Sequence, residues 1–524
     1  MDSFECIIAG SGPAGVSAAR RFDGGGCCIL DGGERSPHAF AHSSLLEALA
    51  EGDSAGLLGS RWEMLANLAN ASTLHAKLRA GDARHVAGGE VFSVQDRGGN
   101  VLLKGRGSYG VGGMSETWGG QLFRYTGRDL ASVGDWPIDA EALQPYYSDL
   151  EEHIGISGVH DDMDDFLGPV GELLPPAPLV PAAERLLKSY ARAKARGERP
   201  GLTLGHSRLA VLTREFGGRA PHEFGETEFF TTSQQGLYTA TRTLEALLAR
   251  GRHTYLPGHR LISWNERPDF VEVTVRNEKE GTQRTLCAQH LLLGCGVIHT
   301  ARLLLQHKGE PARKLPFLDH PPSLVPFFLP AMFGTPLPPR SFPVQLVATL
   351  DAETRDMISI YYPGGLLWTD FLADMPLPFS TSSRILRPLL GGLLVAQLWE
   401  PSLPSPGNFL SLDEKGDVYI SYADYAAYPR LKPLLRAFRR LGAYSLGRLA
   451  SKSPPGWGFH YAATLPMRAD PQNYETHTDG RLWDSRRVRV IDGSVLPSLP
   501  AKNHSFTIMA NAARIADEVQ RCGY

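Results

Sequence analysis

The residue types best suited to chemistry lie at the two ends of the chain. Near the N-terminus, Gly10-Ser11-Gly12-Pro13-Ala14-Gly15 follows the apolar run 6–9, which is short enough for one buried parallel strand. Gly10 permits a tight turn, Gly12 lets backbone N–H groups approach a pyrophosphate, and Gly15 lets helix and strand pack closely. A small-residue helix over residues 16–22 would turn its N-terminus toward the phosphates. A second strand, Cys27–Leu30, ends at Asp31, where a carboxylate can take the ribose hydroxyls. Strand, glycines, helix, strand and acid in this order predict a dinucleotide site, without separating FAD from NAD. Near the C-terminus, His460 lies in the stretch 458–467 and Asn503-His504 in 501–505. A histidine is the natural base for an alcohol proton near neutral pH. An adjacent amide can orient the same oxygen as charge develops on it. On spacing alone, a lone loop histidine is more often structural.

The elements that must position these groups follow from periodicity. A strand over 488–491 and a helix over 506–520 flank Asn503, so its loop opens on the ligand side of a parallel sheet. Residues 289–306 repeat the opening logic of buried strand, Gly294-Cys295-Gly296 turn and helix, as a second pass of the same sheet. Residues 105–124 hold seven glycines and Trp118, a loop suited to close backbone approach to a flat ligand. Polar helical sequence is expected around 43–68, hairpin strands near 91–103, helices over 182–196 and 233–250, and a meander over 260–288. From 340 to 427 the pattern is strand-like, including 344–350, 357–362, 393–398 and 418–422, and predicts one separate sheet. The basic stretch 429–451 reads as a solvated helix face. The expected fold class is α/β: a discontinuous Rossmann-like dinucleotide domain (1–160, 200–315 and 455–524) plus an α+β substrate domain (161–199 and 316–454) with a large mixed or antiparallel sheet.

With 524 residues, 42% hydrophobic and 21% charged, the chain suits a multi-unit globular protein. A net charge of −3 asks for neither nucleic acid nor an anionic membrane. No apolar run approaches the roughly 18 residues of a spanning helix, and the first strand starts too early for a secretion signal. The six cysteines form no metal-ligand spacing and are expected reduced, in a cytoplasmic protein.

The sequence resembles the glucose–methanol–choline (GMC) oxidoreductases, FAD enzymes that oxidise alcohols, and within them the pyranose oxidase and C-glycoside oxidase branch. Val111-Gly112-Gly113-Met114-Ser115 with Trp118 is similar to that branch's flavin loop. Trp136-Pro137-Ile138 with Pro145-Tyr146-Tyr147, Leu318-Asp319-His320-Pro321, residues 491–497 and residues 503–509 follow in the family's order. The resemblance implies that His460 is the catalytic base and Asn503 its partner, with hydride passing to flavin N5. It places Gly10, Gly12, Pro13, Ala14, Gly15, Asp31, Gly113, Met114, Ser115, Thr117, Trp118, Gly119, Asp492, Gly493 and Ser505 around FAD. Thr117 stands where the branch can carry a flavin-linked histidine, so non-covalent FAD is expected. Gly119 replaces a threonine that can face the flavin, and Ala463 replaces the usual glycine. His504 replaces a proline and is expected to pack. The implied substrate is an alcohol, sugar, glycoside or polyol, with oxygen or a quinone as acceptor and no metal. A hydroxynitrile-lyase-like lyase and a non-catalytic flavin-binding protein are the alternatives, and an NAD dehydrogenase fits less well. Tyr361, Tyr362, Trp368, Trp399 and Trp457 could stack on sugar faces, but aromatics in such a sheet are expected in the core.

Overall fold

The structure, a computed structural model, describes residues 2–22, 24–33, 91–96, 98–224, 236–336, 341–350, 355–362, 377–423 and 430–522. The helical expectation at 43–68 and Trp368 lie outside the described residues.

The opening strand, Ser3–Ala9, ends in four buried residues because both of its faces are covered. It pairs in parallel with Cys27–Leu30 on one side and with Gln283–Leu293 on the other. Thr254–Leu256 and Val488–Val490 extend the parallel part. Val271–Asn277 and His259–Glu266 add the antiparallel meander that the alternation predicts, giving seven described strands. Gly10 sits at φ +103°, and a Cβ on it would stand 2.4 Å from the Gly294 carbonyl. The two strand-to-helix turns therefore meet at the carboxyl ends of adjacent parallel strands, the place where such sheets take ligands. The last helix, Ser505–Cys522, closes this side. Its Ala512, Ile515 and Ala516 share a core with Ala14 and Ala18 of the first helix, Pro13–Ala19.

A six-stranded antiparallel sheet runs in the order Ser451–Lys452, Ser323–Phe328, Leu393–Trp399, Met357–Tyr361, Val344–Thr349, Thr203–His206. Alternation splits its strands between two faces. Leu394, Ala396 and Leu398 join one core with Leu186 of the helix Pro181–Ala195 and Phe438 of the helix Leu431–Arg440. Phe327 stacks on Phe438 at 4.2 Å. Val395, Gln397 and Trp399 point to the opposite face, toward the cavity described below.

One expected strand belongs elsewhere. Val418–Tyr422 is not in the six-stranded sheet but in a third sheet, ordered Leu315–Pro316, Asn408–Leu412, Val418–Tyr422, Val91–Gln95, Val101–Arg106. It pairs in parallel with Val91–Gln95. Its apolar residues, Val418 and Ile420, pack in the core that also holds Leu303 and Leu304 of the helix Val297–Lys308. Alternation specified a half-buried strand but not the sheet that would bury it. Cys6, Cys27, Cys28, Cys287 and Cys295 are free. No described helix is long and apolar enough to cross a membrane.

Candidate active site

One cavity of about 920 Å³ runs from the first glycine turn to the loop carrying His460. That volume is near the upper end of the roughly 300–1,000 Å³ of small-molecule sites. Gly10, Gly12, Pro13, Ala14, Asp31, Gly113, Met114, Ser115, Thr117, Trp118, Gly119, Asp492, Gly493 and Ser505 all line it, as do His460 and Asn503. Gly15 alone of the expected residues stands behind the wall. A Cβ there would meet the Gly10 carbonyl oxygen at 1.8 Å, so the turn closes only over glycine. A Cβ on Gly12 would meet nothing within 4 Å, so the turn faces open space at that residue. These features fit a bound dinucleotide. Gly15→Ala is expected to force the turn open and weaken cofactor binding about 10- to 100-fold, from an overpacking cost of about 1–3 kcal/mol. Dinucleotide retained through purification at the wild-type ratio would contradict this.

Asp31 is buried. Its Oδ1 accepts from Ser11 N at 2.8 Å and its Oδ2 from the Tyr255 hydroxyl at 2.8 Å. Burial raises its carboxyl to about 6. The Ser11 hydroxyl accepts from Gly112 N at 3.0 Å and ties the glycine-rich loop to the turn. Ser115 bonds the Gly112 carbonyl at 2.7 Å and accepts from Ala240 N at 2.9 Å, and Trp118 Nε1 donates to Tyr238 O at 2.7 Å. The loop is thus anchored on both flanks. Asp492 accepts from Gly296 N, Thr300 Oγ1 and Ser494 N, bracing the two returning turns against each other.

At the far end, His460 stacks on Trp399, with ring centroids 4.7 Å apart and planes 26° from parallel. Its Nδ1 lies 3.2 Å from His320 Nδ1, and its ring centroid 5.0 Å from that of His504. The backbone turns sharply here: Phe459 has φ +53° and Ala463 φ +70°, the left-handed region in which glycine is at ease. Asn503 Nδ2 donates to Gln121 Oε1 at 3.2 Å, while its Oδ1 is buried without a partner among the described residues. Gln121 Oε1 also accepts from Ser359 at 3.1 Å and Tyr361 at 3.4 Å. His504 donates Nε2–H to Tyr461 O at 3.1 Å and also lines the cavity, its Nδ1 without a partner among the described residues.

The expectation that the sheet aromatics are core is corrected in part. Tyr361, Trp399 and Trp457 line the cavity, whereas Tyr362 is buried away from it. Leu324, Gln397 and Ser359 face one another in register across three strands, and so do Pro326, Val395 and Tyr361. Sequence reasoning missed Gln121, Gln397 and the tilted ring pair Tyr109–His299 (4.5 Å) on the cavity wall, together with Tyr255, which bonds Asp31, and the buried Asp319 and His320 beside the cavity. The alternation of the strand Leu393–Trp399 was the available signal for Gln397, since a polar residue inside an apolar strand marks a face that is not plain core.

Burial keeps eight described histidines below their usual range: His153 and His320 at about 3, His222, His290, His299 and His504 at about 4, and His307 and His477 also lowered. Asp31 and Asp319 are raised to about 6. As pH falls from 6.5 toward 4, the unfolded chain protonates these eight imidazoles while the native one takes up protons on fewer groups, the raised carboxyls Asp31, Asp319, Glu116 and Asp492. The unfolded state therefore binds more protons, and stability falls with pH through this window. Thermal melting from pH 7.5 to 4.5 should show a steep drop below 6.5, and a flat profile would contradict it.

A family model described as GMC oxidoreductase matches residues 452–512. Paromamine 6'-oxidase of Streptomyces fradiae is 27% identical over 453 residues, covering 78% of each chain. 2-Methyl-1,2-propanediol dehydrogenase of Mycolicibacterium austroafricanum is 24% identical over 466 residues, covering 78% of this chain and 80% of its own. Among solved structures, pyridoxine 4-oxidase from Mesorbium loti superposes with a TM-score of 0.63 at 14% identity, covering 99% of both chains. A formate oxidase variant from Aspergillus oryzae RIB40 gives 0.58 at 15% identity, covering 100% of this chain and 99% of its own. These structural likenesses speak for the fold, in which the glycine turns and the His460 loop border one cavity.

Proposed function

From the premise that this chain is a GMC oxidoreductase, acting on CH–OH donors, we propose that it oxidises a small polyhydroxylated alcohol, such as a sugar, glycoside or related polyol, with FAD held non-covalently in the long cavity. The observation that carries the reading is the placement of the glycine turns and of His460 with Asn503 on the same cavity wall. Bound flavin would supply the acceptor for the hydride leaving the carbinol carbon.

The chain's own residues do the rest. Gly10, Gly12 and the Pro13–Ala14 turn would take the pyrophosphate, Asp31 would take the adenosine ribose, and Asp492 with Gly493 would hold the ribityl and phosphate end. The segment from Gly113 to Gly119 would hold the ring system, and Thr117 offers no nucleophilic imidazole for a covalent link. His460 accepts the substrate's hydroxyl proton. Asn503 Nδ2 gives one hydrogen to Gln121 and has a second for the substrate oxygen. Gln397 and Tyr361, beside Leu324, Pro326 and Val395, offer hydrogen bonds next to apolar surface, which suits a carbon skeleton bearing several hydroxyls. Two relatives, named as a paromamine oxidase and a diol dehydrogenase, support that class of substrate.

The test is anaerobic mixing of purified protein with sugars, glycosides, aminosugars, diols and aromatic alcohols. Loss of the oxidised flavin's visible absorbance with a polyhydroxylated member is expected, and reoxidation by oxygen or a quinone then identifies the acceptor. A lyase would consume substrate with the flavin still oxidised. A panel in which no alcohol bleaches the flavin would overturn the proposal.

A further inference from the structure

We propose that His320 is a positioning residue that fixes the tautomer of His460, so that the Nε2 of His460 carries the lone pair that receives the substrate's proton. The inference rests on the reading of His460 as the base.

The argument starts at Leu499, whose backbone carbonyl can only accept a hydrogen bond. His320 Nε2 lies 3.4 Å from it and so carries the hydrogen. His320 is 2% exposed, and burial holds it neutral, at about 3. A neutral imidazole protonated at Nε2 has a bare Nδ1. That bare nitrogen faces His460 Nδ1 at 3.2 Å. Only one arrangement makes this contact attractive: His460 carries its hydrogen on Nδ1 and donates it to His320. The opposite tautomer of His460 would set two lone pairs against each other at the same distance. With Nδ1 protonated, neutral His460 keeps its lone pair on Nε2, the ring nitrogen remote from His320.

The surroundings fix the ring's position as firmly as its tautomer. Trp399 fixes the ring plane, and Asp319 Oδ1 accepts the His460 backbone N–H at 3.3 Å. His504 is fixed in the same way by the Tyr461 carbonyl, also as the Nε2–H form, and contributes no added charge. The titratable groups around the pair are His504, the Asp319 carboxyl, and Lys452, which is neutralised by Glu400 at 3.4 Å. When the substrate O–H bond breaks, its proton goes to His460 Nε2. The Nδ1–H···Nδ1 bond to His320 then has a cationic donor and strengthens. His320 itself neither gains nor loses a proton.

Two substitutions and one spectroscopic measurement test this. In His320→Asn, the Oδ1 atom can stand near the place of Nδ1 and accept from His460. In His320→Leu nothing can. His320→Leu is expected to lower kcat by about 10²-fold or more with KM little changed, within the up to about 10⁴-fold known for a catalytic histidine in the wrong tautomer. His320→Asn is expected to recover most of that loss, and the acid limb of the kcat/KM profile should shift in the leucine variant only. Independently of turnover, 15N spectra of histidine-labelled wild-type protein should show His460 as the Nδ1–H form, with its signals assigned by difference from a His460→Gln sample. A resting His460 in the Nε2–H form overturns the proposal, as do leucine and asparagine variants of equal activity. If His320→Leu does not fold, the wild-type spectrum decides. A protein in which His460 has the Nδ1–H form but is dispensable for turnover would sink the base reading and leave the tautomer assignment standing.

Discussion

Replacing His460 by Ala should lower kcat by about 10²–10⁴-fold while FAD stays bound. That range is what a positioned proton acceptor contributes. The imidazole stacks on Trp399 and touches His320, and the groups proposed to hold FAD sit on other elements: the turn after Ser3–Ala9, the glycine-rich loop and the turn at Asp492. Its removal leaves a small void beside Trp399 and does not disturb the hydrogen bonds of Asp31 or Asp492. The informative measurement is the rate of anaerobic flavin reduction in stopped flow, beside the flavin-to-protein ratio after gel filtration. Slow reduction at a full flavin ratio fits a base. Wild-type reduction rates in the alanine variant would remove His460 from the chemistry. Loss of flavin together with activity would make its role structural. Raising the pH should partly restore the variant, because an already ionised alcohol needs no base, whereas a residue that only shapes the pocket gives no such recovery.

The parts of this site legible in the sequence are those written in contiguous residues. The strand, Gly10, Gly12, Gly15 and Asp31 form one local unit, and its geometry follows from turn sterics and period. The strand Val488–Val490 and helix Ser505–Cys522 flank Asn503 as their periodicity predicts. What was not legible depends on contacts distant in the chain. His320 meets His460 across 140 residues, and Gln121 meets Asn503 across 382. No local pattern encodes either pairing. Period 2 in Leu393–Trp399 separates two faces but does not say what covers each. One face packs on helices and the other lines a cavity, and both carry apolar side chains, so Trp399 and Tyr361 look like core from sequence alone. The strand Val418–Tyr422 shows the same limit in topology: its partner Val91–Gln95 is remote, and strand register across such a gap is fixed only by the assembled core.

Asp319 joins the two kinds of residue, because its motif was visible and its work was not. Its carboxylate is fully buried and accepts from backbone groups: Oδ2 from Gly456 N at 2.7 Å and Gly458 N at 3.3 Å, and Oδ1 from His460 N at 3.3 Å. The loop carrying His460 is folded around this one side chain. Gly458 lies so close that a Cβ there would stand 2.1 Å from the His320 carbonyl oxygen. Tyr422 holds Asp319 itself, donating to its carbonyl at 3.0 Å. Asp319→Ala leaves three backbone donors without an acceptor in a dry site. At about 1–3 kcal/mol for each unsatisfied group, with partial relaxation, a destabilisation of about 3–5 kcal/mol is expected, with activity lost as the loop detaches. Asp319→Asn separates stability from catalysis. Its carbonyl oxygen can keep Gly456 and Gly458, but its amide would then turn N–H groups against the His460 N–H. Burial already raises the native carboxyl to about 6, so a neutral amide also removes the cost of a buried charge. The asparagine variant should therefore unfold within about 1–2 kcal/mol of wild type, yet reduce its flavin about 10- to 100-fold more slowly, as a misplaced base does. Urea unfolding and stopped-flow reduction on the same preparations check both halves. An asparagine variant that is fully active would show that the His460 loop holds its shape without this carboxylate.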